Sequence, residues 1–129
     1  AWRIFIDHPV RGTRLGTLQE VFPRYESMYD GKVANHAHND YVELLAETGV
    51  IGALCFATFL FLLFRRSWDE IHATLNPQDL ALRMGALVAC AGLLVHSFVD
   101  FNLHIPSNAL LFYLLAVVAS SAARPDQEF

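Results

Sequence analysis

A cluster of hydrogen-bonding and ionisable side chains, His36-Ala37-His38-Asn39-Asp40, stands directly before the first long apolar run. Asp40 is predicted to cap the following helix, with Glu43 at the third helical position, so that His38 and Asn39 lie just outside its N-terminus. Free backbone amides and the helix dipole favour an anion there, and imidazole and carboxamide groups from His36, His38 and Asn39 add directed donors. The cluster predicts an anion site or a proton acceptor, with an idle, solvated helix entry as the alternative.

His36 and His38 also have a spacing with which a zinc site can begin, with His8 or His104 as a third ligand. No cysteine pair and no H-E-x-x-H motif accompanies them, and those companions are what make a zinc motif specific. The sequence therefore predicts no metal ion and no other cofactor.

Two arginines, Arg11 and Arg14, flank Gly12 and precede Gly16. Glycine lets the backbone approach a ligand closely, and guanidinium groups supply paired donors that suit phosphate oxygens. The G-x-x-x-x-G-K-[ST] spacing of a P-loop is absent. We expect either a phosphate-binding turn, with Arg11 and Arg14 as its ligands, or a turn whose arginines are solvated.

Three carboxylates, Asp40, Glu43 and Glu47, follow the histidines at helical spacing and share one helix face. Glu47 lies deepest, and if this helix crosses a membrane, its carboxylate is a functional candidate because burying it is expensive. The alternative is an interfacial residue that faces water. Further along the chain, His96 and Asp100 are one helical turn apart. That second pair is interpreted either as a functional His-Asp pair or as polar packing between helices.

The elements that carry these residues follow from the composition. The 129 residues are 54% hydrophobic and 17% charged, against about a quarter charged in ordinary soluble domains, and the net charge is −4. An acidic chain without basic clusters excludes nucleic acid as the expected partner. Residues 50–64, 84–99 and 101–123 contain no charged side chain, so no polar helix face is available there.

Extended slightly past Glu47 and Asp100, the apolar runs reach the length that crosses a bilayer. The predicted fold is an all-α polytopic membrane protein: a periplasmic loop segment over 1–40, then one domain over 41–129. Its three transmembrane helices are predicted at about 41–64, 83–101 and 106–123.

The basic residues near the predicted helix ends are Arg65, Arg66, Arg83 and Arg124, and all fall on one side of such a zigzag. The positive-inside rule makes that side cytoplasmic and places segment 1–40 on the periplasmic side. The apolar start at Ala1, without an initiator methionine, is expected for a C-terminal fragment of a longer polytopic protein.

Three segments of the chain resemble a known protein family. His38-Asn39, nine further residues and Gly49-Val50-Ile51-Gly52 match the H-[NSQ]-x9-G-x-x-[GTY] pattern of the bacterial O-antigen ligase family. DHPVRGTRLGTL resembles the family's P-x-x-G-x-G-x-G stretch, and HSFVDFNLHIPSNALLF resembles its later helix and loop. Together these segments cover nearly the whole chain in the family's order. Arg14 departs from the pattern, because the family usually has glycine there.

The resemblance implies a bacterial inner-membrane glycosyltransferase of the GT-C type with a periplasmic active site. Such enzymes transfer a glycan from undecaprenyl diphosphate to an acceptor hydroxyl, which belongs to a lipid A-core sugar in ligases, to the growing glycan in polymerases, and to protein Ser or Thr in oligosaccharyltransferases. His38 would be the catalytic histidine, either as base or as diphosphate ligand, with Asp40 or Glu47 as a rival base. Arg11, Arg14, His36 and Asn39 would bind substrate.

Two hypotheses from other classes remain open. In a membrane transport segment, Glu47, His96 and Asp100 would line a polar pathway. In a non-catalytic membrane anchor, the outer loop would bind a partner protein, and His38, Arg11 and Arg14 would all be replaceable.

Overall fold

The computed structural model describes residues 1–17, 21, 39–100 and 102–122. Within that part of the chain every regular element is helical, which confirms the all-α prediction. The elements are listed in chain order: α1 (Trp2–Asp7), α2 (Asp40–Ala73), α3 (Pro77–His96), a 3-10 helix (Asn102–His104) and α4 (Pro106–Ser120).

The three long helices run alternately down, up and down. The start of α2 meets the end of α3, where the Asp40 amide donates to the Ser97 carbonyl at 3.0 Å. α3 and α4 pack along each other and both contact α2. Their shared core consists of Leu63, Cys90, Leu94, Phe112 and Ala116. This bundle fixes which loops meet at which end.

Asn39, and not Asp40, caps α2. The Asn39 Oδ1 accepts from the amides of Tyr41 and Val42 at 3.0 and 3.1 Å, whereas Asp40 is the first helical residue. The expected cap was therefore wrong by one position. Asparagine and aspartate cap equally well, and the Asp40 carboxylate has partners on another element, described below.

The helix boundaries differ from those expected from the apolar runs. α2 continues past residue 64 to Ala73, with Ser67 and Glu70 buried and Arg66 paired to Glu70 at 2.6 Å. α3 begins at Pro77, because Asn76 caps it and a proline suits the first helical position. Charged helix turns continue the apolar runs at the end of α2 and the start of α3, so both helices extend further there than the apolar runs predict. At the other ends, α3 stops at His96 and α4 at Ser120, short of the expected 101 and 123.

α2 is broken at Gly49, where the backbone takes φ 65° and ψ −164°. The part after the break is about 36 Å long at 1.5 Å per residue. α2 and α3 are both long and apolar enough to cross a membrane, whereas α4 has 15 residues and is shorter. Leu54, Phe61 and other large apolar side chains on these helices are exposed, as lipid-facing residues are.

At the far end of the bundle, Arg83 closes the hairpin of α3 and α4. Its guanidinium donates to the carbonyls of Ser121 and Ala122, just beyond the end of α4, and the residue is 7% exposed. A cation at a helix C-terminus is stabilised by the helix dipole and by the unpaired carbonyls. Arg83 therefore has a structural role in addition to its place among the end charges.

Candidate functional site

The polar cluster at the start of α2 is anchored first through Asn39. While its Oδ1 caps the helix, its Nδ2 donates to the Phe98 carbonyl at 2.9 Å. Tyr41 adds a bond from its hydroxyl to the Leu94 carbonyl at 2.7 Å, and its ring lies 4.4 Å from that of Phe98. The helix start is thereby attached to the end of α3. Both polar atoms of the Asn39 carboxamide have backbone partners.

Asp40 joins the same helix start to the 3-10 helix. Its Oδ2 accepts from the Leu103 amide at 2.9 Å, and its Oδ1 lies 2.6 Å from the His104 Nδ1. A carboxylate oxygen accepts in this contact when the His104 Nδ1 carries a proton. Asp40 is 5% exposed, and both of its oxygens have hydrogen-bond partners.

The sequence predicted His104 only as a possible third zinc ligand and gave no sign of its contacts with α2. Its Nε2 lies 3.5 Å from the Glu43 Oε1, so one imidazole contacts two buried carboxylates. The side chain is 31% exposed, compared with 2% for Glu43. The contact between His104 and Asp40 joins positions 64 residues apart. The sequence signal was a histidine just before the proline that opens α4, and helix spacing cannot connect it to α2.

The loop of Pro9–Arg14 enters the break in α2. A continuous helix would pair the Val50 and Ile51 amides with the carbonyls of Ala46 and Glu47. The loop instead satisfies all four groups through Val50 N to Pro9 O at 2.8 Å, Ile51 N to Val10 O at 3.3 Å, Thr13 N to Ala46 O at 3.1 Å, and Arg14 N to Glu47 O at 2.8 Å. A broken helix within an apolar environment requires such replacement partners. We call this interlocked unit of 9–14 and 46–51 the helix-break joint.

Two glycines make the helix-break joint close enough to form. A Cβ on Gly49 would lie 2.5 Å from the Val10 carbonyl carbon, and a Cβ on Gly12 would fall on the Glu47 backbone. Both glycines have positive φ, 65° and 63°. Gly12 and Gly49 therefore let the loop backbone and the backbone of α2 come close together, so these glycines serve contact within the protein.

Arg14 stands where the family pattern has glycine, and its backbone has a positive φ of 100°, a conformation that favours glycine. Its amide serves the helix-break joint, while its side chain and that of Arg11 are exposed. Glu47 has the opposite placement: its carbonyl is in the joint and the residue is 3% exposed. The loop thus presents two cations outward from a rigid support, as a phosphate ligand set requires.

His36 and His38, the two histidines of the motif, lie outside the described residues. The structure does describe Asn39, which follows His38 directly and is held on both sides of its carboxamide. The part of the site that the structure describes therefore begins at Asn39, the cap of α2.

His96 and Asp100 lie at the end of α3, with Nε2 and Oδ2 4.0 Å apart. Their side chains are 58% and 39% exposed, and at that separation their attraction is weak. Among the described residues no group of three metal-ligating side chains is placed to hold an ion.

Comparison with known proteins gives one match. Residues 1–57 match the family model described as O-Antigen ligase, which confirms the resemblance for the two segments before residue 57. The later segment, 96–112, lies outside the match and stays a prediction. Neither the curated proteins nor the solved structures include a match to the chain. The matched segment contains the loop of Pro9–Arg14, which we call the arginine loop because it carries Arg11 and Arg14. It also contains the histidine motif and the break in α2. Together with the apolar helices, this match over 57 of the 129 residues supports an O-antigen ligase-like membrane protein.

Proposed function

Since residues 1–57 are matched by the O-antigen ligase family, we propose that this chain carries part of the active site of a bacterial inner-membrane glycosyltransferase. The donor is a glycan on undecaprenyl diphosphate, and the acceptor is a hydroxyl of a glycan, of lipid A-core or of a protein. The site faces the periplasm. The observation that carries the proposal is the helix-break joint, since it makes the arginine loop and the helix that follows His38 one rigid unit.

The reaction needs two kinds of protein group. The acceptor oxygen forms a bond to the anomeric carbon of the donor sugar, and the bond from that carbon to the diphosphate oxygen breaks. The acceptor proton goes to a base, and the diphosphate leaves with the extra negative charge. A histidine suits the first task, and fixed cations near the leaving group suit the second.

In this proposal His38 takes the acceptor proton. Asp40 is a weaker candidate for the base because both of its oxygens already accept hydrogen bonds from the 3-10 helix. Glu47 is a weaker candidate because it is 3% exposed beside the helix-break joint. These acidic residues, with Asn39, hold the start of the helix that follows His38 in the sequence.

Arg11 and Arg14 bind the diphosphate in the same proposal. Both side chains are exposed on a loop whose backbone is fixed to α2. Guanidinium groups on a fixed support stabilise developing charge without reorganising during the reaction. His36 adds a further donor from the same motif.

The direct test is His38→Ala, compared with the matched control His72→Ala. His72 is exposed near the other end of α2, where its ring nitrogen bonds to the Trp68 carbonyl at 2.8 Å. The assay follows the transfer of a radiolabelled glycan from undecaprenyl diphosphate in native membranes. Loss of a general base lowers the rate by roughly 10²–10⁴-fold, and the control retains the wild-type rate.

Undiminished transfer by His38→Ala, at normal protein levels, would overturn the catalytic assignment. If His38, Arg11 and Arg14 are all replaceable, the non-catalytic anchor becomes the better interpretation. If only changes at Asp100 have an effect, and that effect is on transport, the transport hypothesis replaces this one.

A further inference from the structure

An open groove of about 430 Å³ lies where the later part of α2 meets α3. Five large apolar side chains and one cation line it: Leu60, Phe61, Phe64, Trp68, Leu87 and Arg65. Along α2 the groove extends from Leu60 to Trp68, about 12 Å at 1.5 Å per residue. None of these lining residues belongs to the proposed active site, which lies toward the other end of α2.

The groove crosses the boundary between the apolar and the polar part of α2. The uncharged run ends at Phe64, and Arg65 is the first charged residue after it. Trp68 follows, 62% exposed, with its ring 4.7 Å from that of His72. α2 is long and apolar enough to cross a membrane. Exposed tryptophan and arginine at the end of such a helix are typical of the level where acyl chains give way to headgroups.

Arg65 provides a cation at the polar rim of the groove. Among the described residues it has no acidic partner, whereas its neighbour Arg66 is paired with Glu70 at 2.6 Å. Asp69 lies one helical turn further on and is exposed, so water and salt screen its charge. A guanidinium group presents its donors in a fork that matches the oxygens of a phosphate. The rim therefore suits an anionic group.

Other occupants satisfy only one part of the groove. An apolar helix packed here would remove the Arg65 guanidinium from water without an anionic partner, which is costly. A soluble anion would pair with Arg65 but would leave the apolar side chains uncovered. A phospholipid satisfies both parts, because its phosphate and its acyl chain are joined at this level of the membrane. A lipid with net negative charge is favoured over a zwitterionic one, since basic residues at a membrane surface attract anionic lipids.

We propose that this groove binds one anionic phospholipid of the surrounding leaflet. Its phosphate contacts the Arg65 guanidinium, and one acyl chain lies along Phe61, Phe64 and Leu87. The proposal requires neither the transfer reaction nor a particular orientation of the protein in the membrane. It adds a specific lipid site at the end of the bundle opposite the histidine motif.

Trp68 reports directly on what fills the groove. The chain has two tryptophans, Trp2 and Trp68, so a Trp2→Phe background leaves Trp68 as its only tryptophan. The protein is placed in vesicles of phosphatidylcholine, and phosphatidylglycerol or phosphatidylcholine with brominated acyl chains is added. Bromine quenches tryptophan fluorescence on contact. Brominated phosphatidylglycerol is expected to reach half-quenching at an about fivefold lower mole fraction, the contribution typical of one basic residue.

Three variants in the same background separate Arg65 from the general surface charge. Arg65→Gln is expected to lose the fivefold preference, so that both brominated lipids quench equally, and Arg65→Lys is expected to retain most of it. Arg66→Gln is the matched control, because Arg66 is also exposed on this turn but does not line the groove. It is expected to keep the preference.

Three results overturn the proposal. Equal quenching by the two lipids with Arg65 present would mean that the groove holds ordinary bilayer lipid without selecting it. Equal losses in Arg65→Gln and Arg66→Gln would assign the preference to the overall surface charge. Absence of quenching by either lipid would mean that protein covers the groove. Each result is independent of the His38 test, because no glycan transfer is measured.

Discussion

At the residue scale, the Asp40 carboxylate depends on partners that come from the 3-10 helix. The Leu103 donor is a backbone amide, so His104 is the partner that a side-chain substitution can test. Nδ1 of a histidine and Nδ2 of an asparagine occupy similar positions relative to the backbone. Asparagine can therefore retain the donor to Asp40 while losing the Nε2 contact with Glu43.

We predict that His104→Leu lowers the free energy of unfolding by roughly 1–3 kcal/mol, because it leaves a buried carboxylate short of one hydrogen bond. His104→Asn is expected to recover most of this loss. Thermal unfolding of the purified protein in detergent measures both variants. Equal destabilisation by leucine and asparagine would mean that the contact with Asp40 is not what His104 contributes.

Arg14 combines an unfavourable backbone with a useful side chain, and the two effects can be separated. We predict that Arg14→Gly raises the unfolding temperature slightly. Relief of a positive-φ conformation gains about 1–2 kcal/mol, more than the roughly 0.5–1 kcal/mol of chain entropy that glycine loses. The same variant is expected to lower glycan transfer, because it removes a diphosphate ligand.

Arg14→Lys is the control for that prediction, since it keeps both the strained backbone and a positive charge. Its unfolding temperature should equal that of the wild type. A drop in stability for Arg14→Gly would show that the side chain makes contacts that outweigh the strain at φ 100°.

At the element scale, the helix-break joint replaces two bonds within α2 by four bonds to the loop. We predict that Gly49→Ala and Gly12→Ala each destabilise the protein by roughly 3 kcal/mol or more, since a methyl group would collide with backbone and positive φ adds strain. Chemical denaturation or thermal unfolding in detergent measures the loss.

Two other glycines separate these causes. Gly16 has φ 75° but open space around its Cα, so Gly16→Ala should cost only the conformational part, about 1 kcal/mol. Gly85 lies within α3 with nothing nearby, so Gly85→Ala should change stability by no more than about 1 kcal/mol, toward greater stability. Tolerance of alanine at position 49 would mean that the loop can leave the break.

At the scale of the whole molecule, the bundle has two chemically different ends. Asp40, Glu43 and His104 meet at one end, and Arg66, Glu70 and Arg83 lie toward the other. We propose that the first end faces the periplasm, because the positive-inside rule puts it on the non-cytoplasmic side and the proposed function requires a periplasmic site.

We predict that Leu15→Cys reacts with a membrane-impermeant maleimide in cells whose outer membrane has been permeabilised. Leu75→Cys is expected to react only after the inner membrane is opened. The two positions form a matched pair, because both leucines are highly exposed, one beside the arginine loop and one between α2 and α3. Wild-type protein is the blank, as Cys55 and Cys90 lie within apolar helices. The reversed labelling pattern would contradict a periplasmic site.

Much of the fold follows from the sequence. Runs without charge predict helices with no polar face, and the spacing of His38, Asn39 and Gly49 predicts the resemblance that the family model then matches over residues 1–57. Local order along the chain is enough for both predictions. The predicted cap of α2 was wrong by one residue, because the Asp40 side chain takes partners on another element. The predicted helix ends differed from the observed ones by up to nine residues, because charged turns such as that of Arg66 and Glu70 extend a helix beyond its apolar run.

The contacts that organise the site were decided by the tertiary structure. His104 reaches Asp40 across 64 positions, and the arginine loop enters a break in α2 that no apolar pattern announces. The contact of Asp40 with the 3-10 helix and the contact of the loop with α2 both include backbone groups, and helix packing decides which groups meet. A single sequence does not show which distant backbone groups will pair. Asp40, Glu43 and Glu47 were recognisable from their chemistry, but their burial, and the exposure of Arg11 and Arg14 on the loop, depended on the fold.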